Sequence, residues 1–455
     1  MAALNDIARY VNSLNFEELP AEVVEATRLP LIDCVGVIIA GLEDDSSKIT
    51  AEWVESSAGI STATIIYGFK KAAPAWAALA NGTAAHALDF DDVNFRMMGH
   101  PSVALVPAIL AVGESESLSG KECILAYVIG LEVAAKIGQA LGGNPYTIGW
   151  HQTSTMGTLG AAASCGKLLG LSEEELVNAL GVSCSMASGI RANFGTMTKP
   201  FHAGMAAMNG VMAAQLAQRG FTANPESLFG ENGFARTFSA DLDKEDTVTA
   251  TLGNPYELID PGLSFKPYPC CRGPQGAIDA ALIARAKLVE KEGEVDPARI
   301  ERLECRVPSW LRGVLMYHTP QTGTEGKFSL EFCVSAALTD GKVGVGQFRD
   351  EKVTAKEITT LIDRFDWQDL EGDVTSPFAA RIGLTLVDGS EITSAVEKPL
   401  GEPGNPMSEE QIYDKYLECV KDHLGENAAQ KSLGALRNLE ETRDVSNVIE
   451  LLREG

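Results

Sequence analysis

The chain has 455 residues, 45% hydrophobic and 22% charged, with 37 Lys plus Arg against 62 Asp plus Glu and a net charge of −25. That length exceeds one ordinary core and calls for two domains, the composition excludes a disordered chain, and the negative charge opposes nonspecific contact with nucleic acid or an anionic membrane. An anionic ligand would need its own local cluster of cations.

From the start of the chain to about residue 250 nearly every segment reads as helix. Residues 2–14, 20–41, 73–89, 102–116, 120–142, 153–170, 172–189 and 203–220 have helical lengths, with Gly at or near many ends as a stop. The best strand signal in this half is 63–67. Several helices are rich in Ala, Gly and Ser, which predicts buried helices in close contact rather than amphipathic surface ones. The longest apolar runs, near 30–41 and 103–113, fall short of the ~20 residues that cross a bilayer, so no membrane span is expected. Residues 1–20 lack a cationic start followed by an apolar block, so no secretory leader is expected. The nine cysteines contain no C-x-x-C pair, which points to a reducing, cytoplasmic setting. Cys270-Cys271 lacks the ligand spacing of a structural zinc site.

Between Pro261 and Pro274, Pro and Gly crowd together, and a domain boundary is expected there. Beyond it follow a helix at 276–292, a strand at 300–307, helices at 327–338 and 355–362, and a hairpin of 381–387 with 391–396 through Asp388-Gly389. After a Gly- and Pro-rich loop at 401–406, Ser408-Glu409-Glu410-Gln411 is a capping box that opens C-terminal helices. The expected architecture is mainly α: a large all-helical domain, 1–260 completed by 403–455, and a smaller α+β lid domain, 261–402.

The densest chemistry lies in the fourteen residues from Asp89 to Ser102, which hold Asp89, Asp91, Asp92, Arg96 and His100 between two apolar helices. Ser102 reads as an N-cap, so His100 faces the positive end of a helix. His151 before a helix opening near Thr153, and Lys199-Pro200-Phe201-His202 before a helix from Ala203, repeat this design. Converged on one cleft, the three junctions would bind a small polycarboxylate and offer imidazoles, with an ordinary pKa of ~6.5, to move protons. Lys266-Pro267-Tyr268-Pro269-Cys270-Cys271-Arg272 holds two further cations on a backbone stiffened by proline. His86, on an alanine-rich helix, reads as structural, and His318 and His423 lack local context. Negative charge at a helix C-terminus opposes the dipole, so at least one of Asp89, Asp91 and Asp92 should be buried and paired. Asp91-Asp92 with Phe at 95 is not a D-D-x-x-D magnesium motif, Gly344-Val345-Gly346 lacks the strand-glycine-helix context of a dinucleotide site, and neither a P-loop nor G-x-S-x-G occurs. No nucleotide and no covalent serine chemistry is expected.

Taken in order, His86-Ala87-Leu88-Asp89-Phe90-Asp91-Asp92, His100-Pro101-Ser102, Gly149-Trp150-His151-Gln152-Thr153, Gly195-Thr196-Met197-Thr198-Lys199-Pro200, Phe265-Lys266-Pro267-Tyr268-Pro269-Cys270-Cys271 and Gly326-Lys327-Phe328-Ser329-Leu330 resemble the MmgE/PrpD family. That family includes 2-methylcitrate dehydratase, cis-aconitate decarboxylase and iminodisuccinate epimerase. The resemblance implies a helical domain with a smaller lid-like α+β domain, a homodimer, and a cofactor-free active site in the cleft between the domains. Matched to the motifs, the implied site is Asp89, His100, His151, Lys199 and Lys266, with Tyr317 a looser match. Tyr146, five residues before His151, is a further candidate acid or base, and Arg96 and Arg272 are candidates for substrate binding. On this reading His100 and His151 move protons, Lys199 and Lys266 hold carboxylates, and Asp89 orients a histidine. Val93 stands where the decarboxylases commonly have Thr, and Gln275 where many relatives have His. The expected function is a cofactor-free lyase, a dehydratase or decarboxylase, acting on a small di- or tricarboxylate. The alternatives are an epimerase of a dicarboxylate and a non-catalytic carboxylate-binding protein.

Overall fold

A computed structural model describes residues 3–56, 61–239, 245–372 and 375–453. Packing divides the chain into two compact units, Met1–Asn193 with Met197–Ser264 and Ser408–Gly455, and Phe194–Thr196 with Phe265–Met407. The class is mainly α, a large helical unit and a smaller α+β unit.

The framework of the first unit is α1 (Ala21–Ala40), α2 (Pro74–Ala87), α3 (Ser102–Ser115), α4 (Gly120–Leu141), α5 (Gln152–Leu168) and α6 (Thr198–Gln218). α6 packs against α2 and α5, and α4 packs against α5. Small residues make this possible. A Cβ on Gly204 of α6 would lie 2.3 Å from the Leu79 carbonyl oxygen of α2, and one on Gly82 would lie 2.8 Å from the Cα of Gly204, so the two backbones touch. This crossing is one turn from His86 on α2 and two residues from His202 on α6. Contrary to the expectation from run lengths, α4 is long and apolar enough to cross a bilayer, but 94% of its apolar window is buried inside the protein, with Glu132 and Lys136 among the buried residues. It serves as a core helix. The expected strand is β1 (Ala63–Ile65), which pairs antiparallel with β2 (Lys70–Ala72).

The second unit holds a four-stranded sheet of β3 (Ile300–Val307), β4 (Phe365–Asp369), β5 (Ala380–Leu386) and β6 (Glu391–Val396) in the order β4-β3-β5-β6. β3 runs parallel to β4, Leu303 opposite Phe365, and antiparallel to β5, Cys305 opposite Ile382. Ile300, Leu303, Cys305 and Val307 of β3 and Ile382, Leu384 and Leu386 of β5 are buried, as alternation requires. Helix α7 (Gln275–Glu292) packs on β5 and β6 and against α8 (Leu330–Asp340). α8 begins three residues later than the expected 327, because the Ser329 hydroxyl accepts the Phe332 N–H and caps it, while Lys327 closes a separate short turn, Gly323–Gly326.

Candidate active site

Four of the six histidines of the chain meet inside the first unit. The His86 and His100 rings are 4.7 Å apart, His86 stacks on His151 at 5.8 Å and 21°, and His151 lies 5.3 Å from His202. Each is brought there by a different local device. His86 closes the last full turn of α2. Asp89 then adopts a left-handed φ of 51°, a conformation that Asp tolerates better than most residues, and turns the chain back so that Asp91 faces His86. Asp91 lies between two rings: its Oδ1 is hydrogen-bonded to Nδ1 of His86 at 2.8 Å, and its Oδ2 lies 2.8 Å from Nδ1 of His100. Residues 94–99 form a tight turn closed by paired Asn94 and Gly99 backbone bonds, and the His100 N–H donates to the Thr153 hydroxyl at 3.1 Å, which ties the turn to the start of α5.

His151 sits at the N-terminal boundary of α5, its N–H donating to the carbonyl of Gly189 at 3.0 Å, and its Nδ1 lies 3.1 Å from Nδ1 of His202. Lys199 and His202 both belong to α6, whose first residue is Thr198 rather than Ala203. Pro200 near the helix start, where an N–H has no partner, accounts for the difference. It is therefore Lys199, not His202, that stands in the first turn, and its ammonium pairs with the buried carboxylate of Asp89. The carboxylate that orients histidines is thus Asp91, and Asp89 takes the lysine instead.

The proton on His100 can be located from its partners. Nδ1 lies 2.9 Å from the carbonyl oxygen of Asp92, and a carbonyl only accepts, so Nδ1 carries the hydrogen and Nε2 holds the lone pair when the ring is neutral. The buried rings resist charging. His86 and His202 are each lowered to about 4 by burial, with the Lys199 ammonium adding to the shift, and His151 is lowered well below its ordinary value by burial and by its neighbours His86, Lys199, His202 and His100. At neutral pH these three rings are neutral. Asp92 goes the other way, raised to about 8 by burial and by Asp33 and Asp91, and its oxygens meet the N–H and hydroxyl of Ser102. The Ser102 side chain does not cap α3 as its position predicts. It bonds to Asp92 and to the Tyr127 hydroxyl at 2.7 Å, so the Asp92 carboxyl serves the helix end.

Among the described residues, Nε2 of His86, both amide atoms of Gln152 and the hydroxyl of Thr155 are buried without an intramolecular hydrogen bond. Buried polar atoms of this kind retain capacity for a ligand. His86, Asp89, Asp91 and His100 each bring one potential metal-ligating atom to within 4.8 Å of the others. Two imidazoles and two carboxylates suit a divalent transition ion by donor type. However, the Nδ1 to Asp91 separations are hydrogen-bond lengths, the His100 Nδ1 carries a proton, and Asp89 is neutralised by Lys199. The donor set fits a proton network better than a metal centre.

The N-terminal domain model of the MmgE/PrpD family matches residues 5–246, and the C-terminal domain model matches residues 268–441. The chain belongs to the MmgE/PrpD family. It is 27% identical over 458 residues to cis-aconitate decarboxylase of Homo sapiens, covering 98% of this chain and 93% of that protein. The mouse enzyme of the same name is 27% identical over 463 residues, with 98% and 92% covered, and that of Aspergillus terreus is 26% identical over 471 residues, with 98% and 95% covered.

In this MmgE/PrpD chain the first unit brings together Asp89, His100, His151 and Lys199 of the expected site. Arg96 is held elsewhere in that unit, on Glu257 at 2.8 Å and Asp260 at 2.9 Å, and the Tyr146 ring stacks on the Arg191 guanidinium at 3.9 Å. The other three expected residues belong to the second unit. Lys266 is fully buried. Arg272 is buried too, donating to the carbonyl of Leu400 at 3.1 Å and to Gln275 at 3.3 Å, with Glu402 at 3.6 Å, so it fastens the loop that carries it. Gln275 fastens the same loop through the carbonyls of Tyr268 and Cys270. The Tyr317 hydroxyl donates to the carbonyl of Phe194 at 3.2 Å, and its ring fills the space that a side chain on Gly195 would occupy. His86 was expected to be structural and instead sits inside the imidazole cluster. Its position three residues before an acidic turn was the signal. Gln152 was legible only as the neighbour of His151.

Proposed function

We propose that this protein is a lyase acting on a small di- or tricarboxylate by proton transfer at a carbon next to a carboxylate. The observation that carries the reading is the buried cluster of mostly neutral imidazoles beside the Lys199–Asp89 pair. A carbon acid next to a carboxylate gives up its proton only if a base is near and the charge that develops on the carboxylate oxygens is stabilised. The Nε2 lone pair of His100 is the base in this proposal, its Nδ1–H is held by the carbonyl of Asp92, and the Asp91 carboxylate 2.8 Å from Nδ1 stabilises the imidazolium formed. Lys199, the amide of Gln152 and the N-terminus of α6 are the stabilising groups for substrate carboxylates, and the family resemblance adds Lys266. The relatives named cis-aconitate decarboxylase favour loss of CO₂, after which the electron pair left on carbon takes a proton that an imidazole has taken up from solvent, and the ring returns to its neutral form. Loss of hydroxide is the dehydratase variant.

The second reading is epimerisation, in which the carbanion is reprotonated on its opposite face, and it is favoured by Val93 standing where the decarboxylases commonly have Thr. A cofactor-free, cytoplasmic homodimer belongs to the same proposal. Incubation of the purified enzyme with cis-aconitate, 2-methylcitrate and iminodisuccinate in deuterated water separates the readings. CO₂ or water release that survives a chelator is expected. Deuterium entering recovered substrate without either release would transfer the proposal to the epimerase, and binding without exchange or turnover would leave a carboxylate-binding protein.

A further inference from the structure

We propose that His202 is a positioning residue that shares one proton with His151 through their facing Nδ1 atoms, and so sets whether the Nε2 of His151 accepts or donates. Its part in turnover rests on the proton-transfer reading above, while the proton arrangement rests on geometry alone. The two Nδ1 atoms are 3.1 Å apart in a buried site. Two N–H groups cannot face each other at that distance, and two bare lone pairs would repel, so one nitrogen must donate and the other accept.

The consequence follows from counting protons. In the neutral pair, either His151 holds the shared hydrogen and its Nε2 is bare, or His202 holds it and the Nε2 of His151 is protonated. Converting one state into the other moves the shared hydrogen across 3.1 Å and also takes a proton from one Nε2 and gives one to the other, by way of solvent or substrate. When the pair takes up one more proton, the shared hydrogen stays between the Nδ1 atoms and both Nε2 atoms are protonated. A proton accepted by the Nε2 of His151 is therefore delocalised over two rings, and no bond other than the N–H being formed or broken changes. The groups that face the pair, Lys199, His86 and His100, oppose its positive charge, so the pair is neutral at rest and charges only when a substrate anion supplies the proton and stays beside it. Two features of the local backbone hold the rings in register. The Ser154 hydroxyl donates to the carbonyl of His202 at 3.1 Å, and Gly189, at φ 105°, leaves room where a Cβ would sit 3.3 Å from Cγ of His202. His100 has no such freedom, because the carbonyl of Asp92 fixes its hydrogen on Nδ1.

Nitrogen-15 NMR of histidine-labelled enzyme without substrate tests the arrangement. At neutral pH one ring of the His151 and His202 pair is expected as the Nδ1–H form and the other as the Nε2–H form, with a strongly downfield Nδ1 proton that disappears in His202→Phe. Two Nε2–H rings, or two doubly protonated rings, would overturn the proposal. The second arm is turnover. His202→Phe keeps the ring volume and is expected to lower kcat about 100-fold, with KM changed by less than about 3-fold, whereas His202→Asn, whose amide both donates and accepts, recovers part of the loss. Equal kcat in wild type and a folded His202→Phe would sink the functional part. If wild type turns over none of the acids tried, the reading of the previous subsection fails, and the NMR result still decides this one.

Discussion

Two charge clusters of the helical unit are built differently. One joins Glu132, Lys136, Glu257, Arg96 and Asp260. Lys136 lies 2.7 Å from Glu257 and donates to the carbonyl of Pro255, Arg96 spans Glu257 and Asp260, and the Glu132 carboxylate accepts the N–H groups of Gly253 and Glu257. Its cations are Lys136 and Arg96, and its bonds close on one another. The other cluster is made of imidazoles around Asp91 and the Lys199–Asp89 pair, and it retains unbonded polar atoms. A set of groups bonded to one another fixes a loop. Neutral rings with one nitrogen to spare can pass a proton.

Substitutions should separate the two. His100→Gln is expected to lower kcat on the order of 10³-fold with little change in thermal midpoint, measured by steady-state kinetics and calorimetry. Lys136→Met should do the reverse: it leaves buried carboxylate charge under-compensated and costs roughly 3 kcal/mol of stability, while the folded fraction keeps near wild-type turnover. Denaturant unfolding beside active-site titration checks this, and a purely kinetic defect would refute the division. Asp91→Asn keeps the side-chain shape between the two rings but removes the charge that stabilises an imidazolium, so a kcat loss of about 10²-fold with nearly unchanged KM is expected.

The smallest effect is in the pH dependence of stability, where the clusters should carry opposite slopes. His202 is lowered to about 4 in the folded protein, so the unfolded chain binds more protons between 4 and 6.5, and the native state loses stability as pH falls through that window. Glu132 is raised from 4.5 to about 7 by burial, so the folded state binds more protons there and loses stability as pH rises through that window. Relative to wild type, His202→Asn should gain stability toward pH 4, and Glu132→Gln should gain toward pH 7. Thermal midpoints measured across this range, parallel for all three proteins, would contradict both assignments.

Much of the fold could be read from residue order. The helix stops at Gly, the alternation of 300–307 and the Asp388-Gly389 turn are local signals, and the structure has the matching elements. β4 was not legible, because its residues are only partly buried and its parallel partner lies about sixty residues earlier. In the site, His100, His151 and Lys199 were legible as ionisable residues at helix starts. The choice between Asp89 and Asp91 was not, since it depends on the left-handed turn at Asp89 that reverses which carboxylate faces the rings. His86 was hidden for a similar reason: it lies within a small-residue helix, and the crossing of α2 and α6 brings it to the same cluster as His202, which the sequence had placed before its helix rather than inside it.

That crossing constrains anyone who would engineer the protein. Replacing glycine by alanine inside a helix is ordinarily a dependable way to raise thermostability, since it restricts the unfolded chain. At Gly82 and Gly204 the same substitution would drive a methyl group into a neighbouring backbone. The two glycines act as a spacer of zero thickness whose value sets the separation of the imidazoles, and a stabilised variant must leave them as they are and seek its gains elsewhere in the chain.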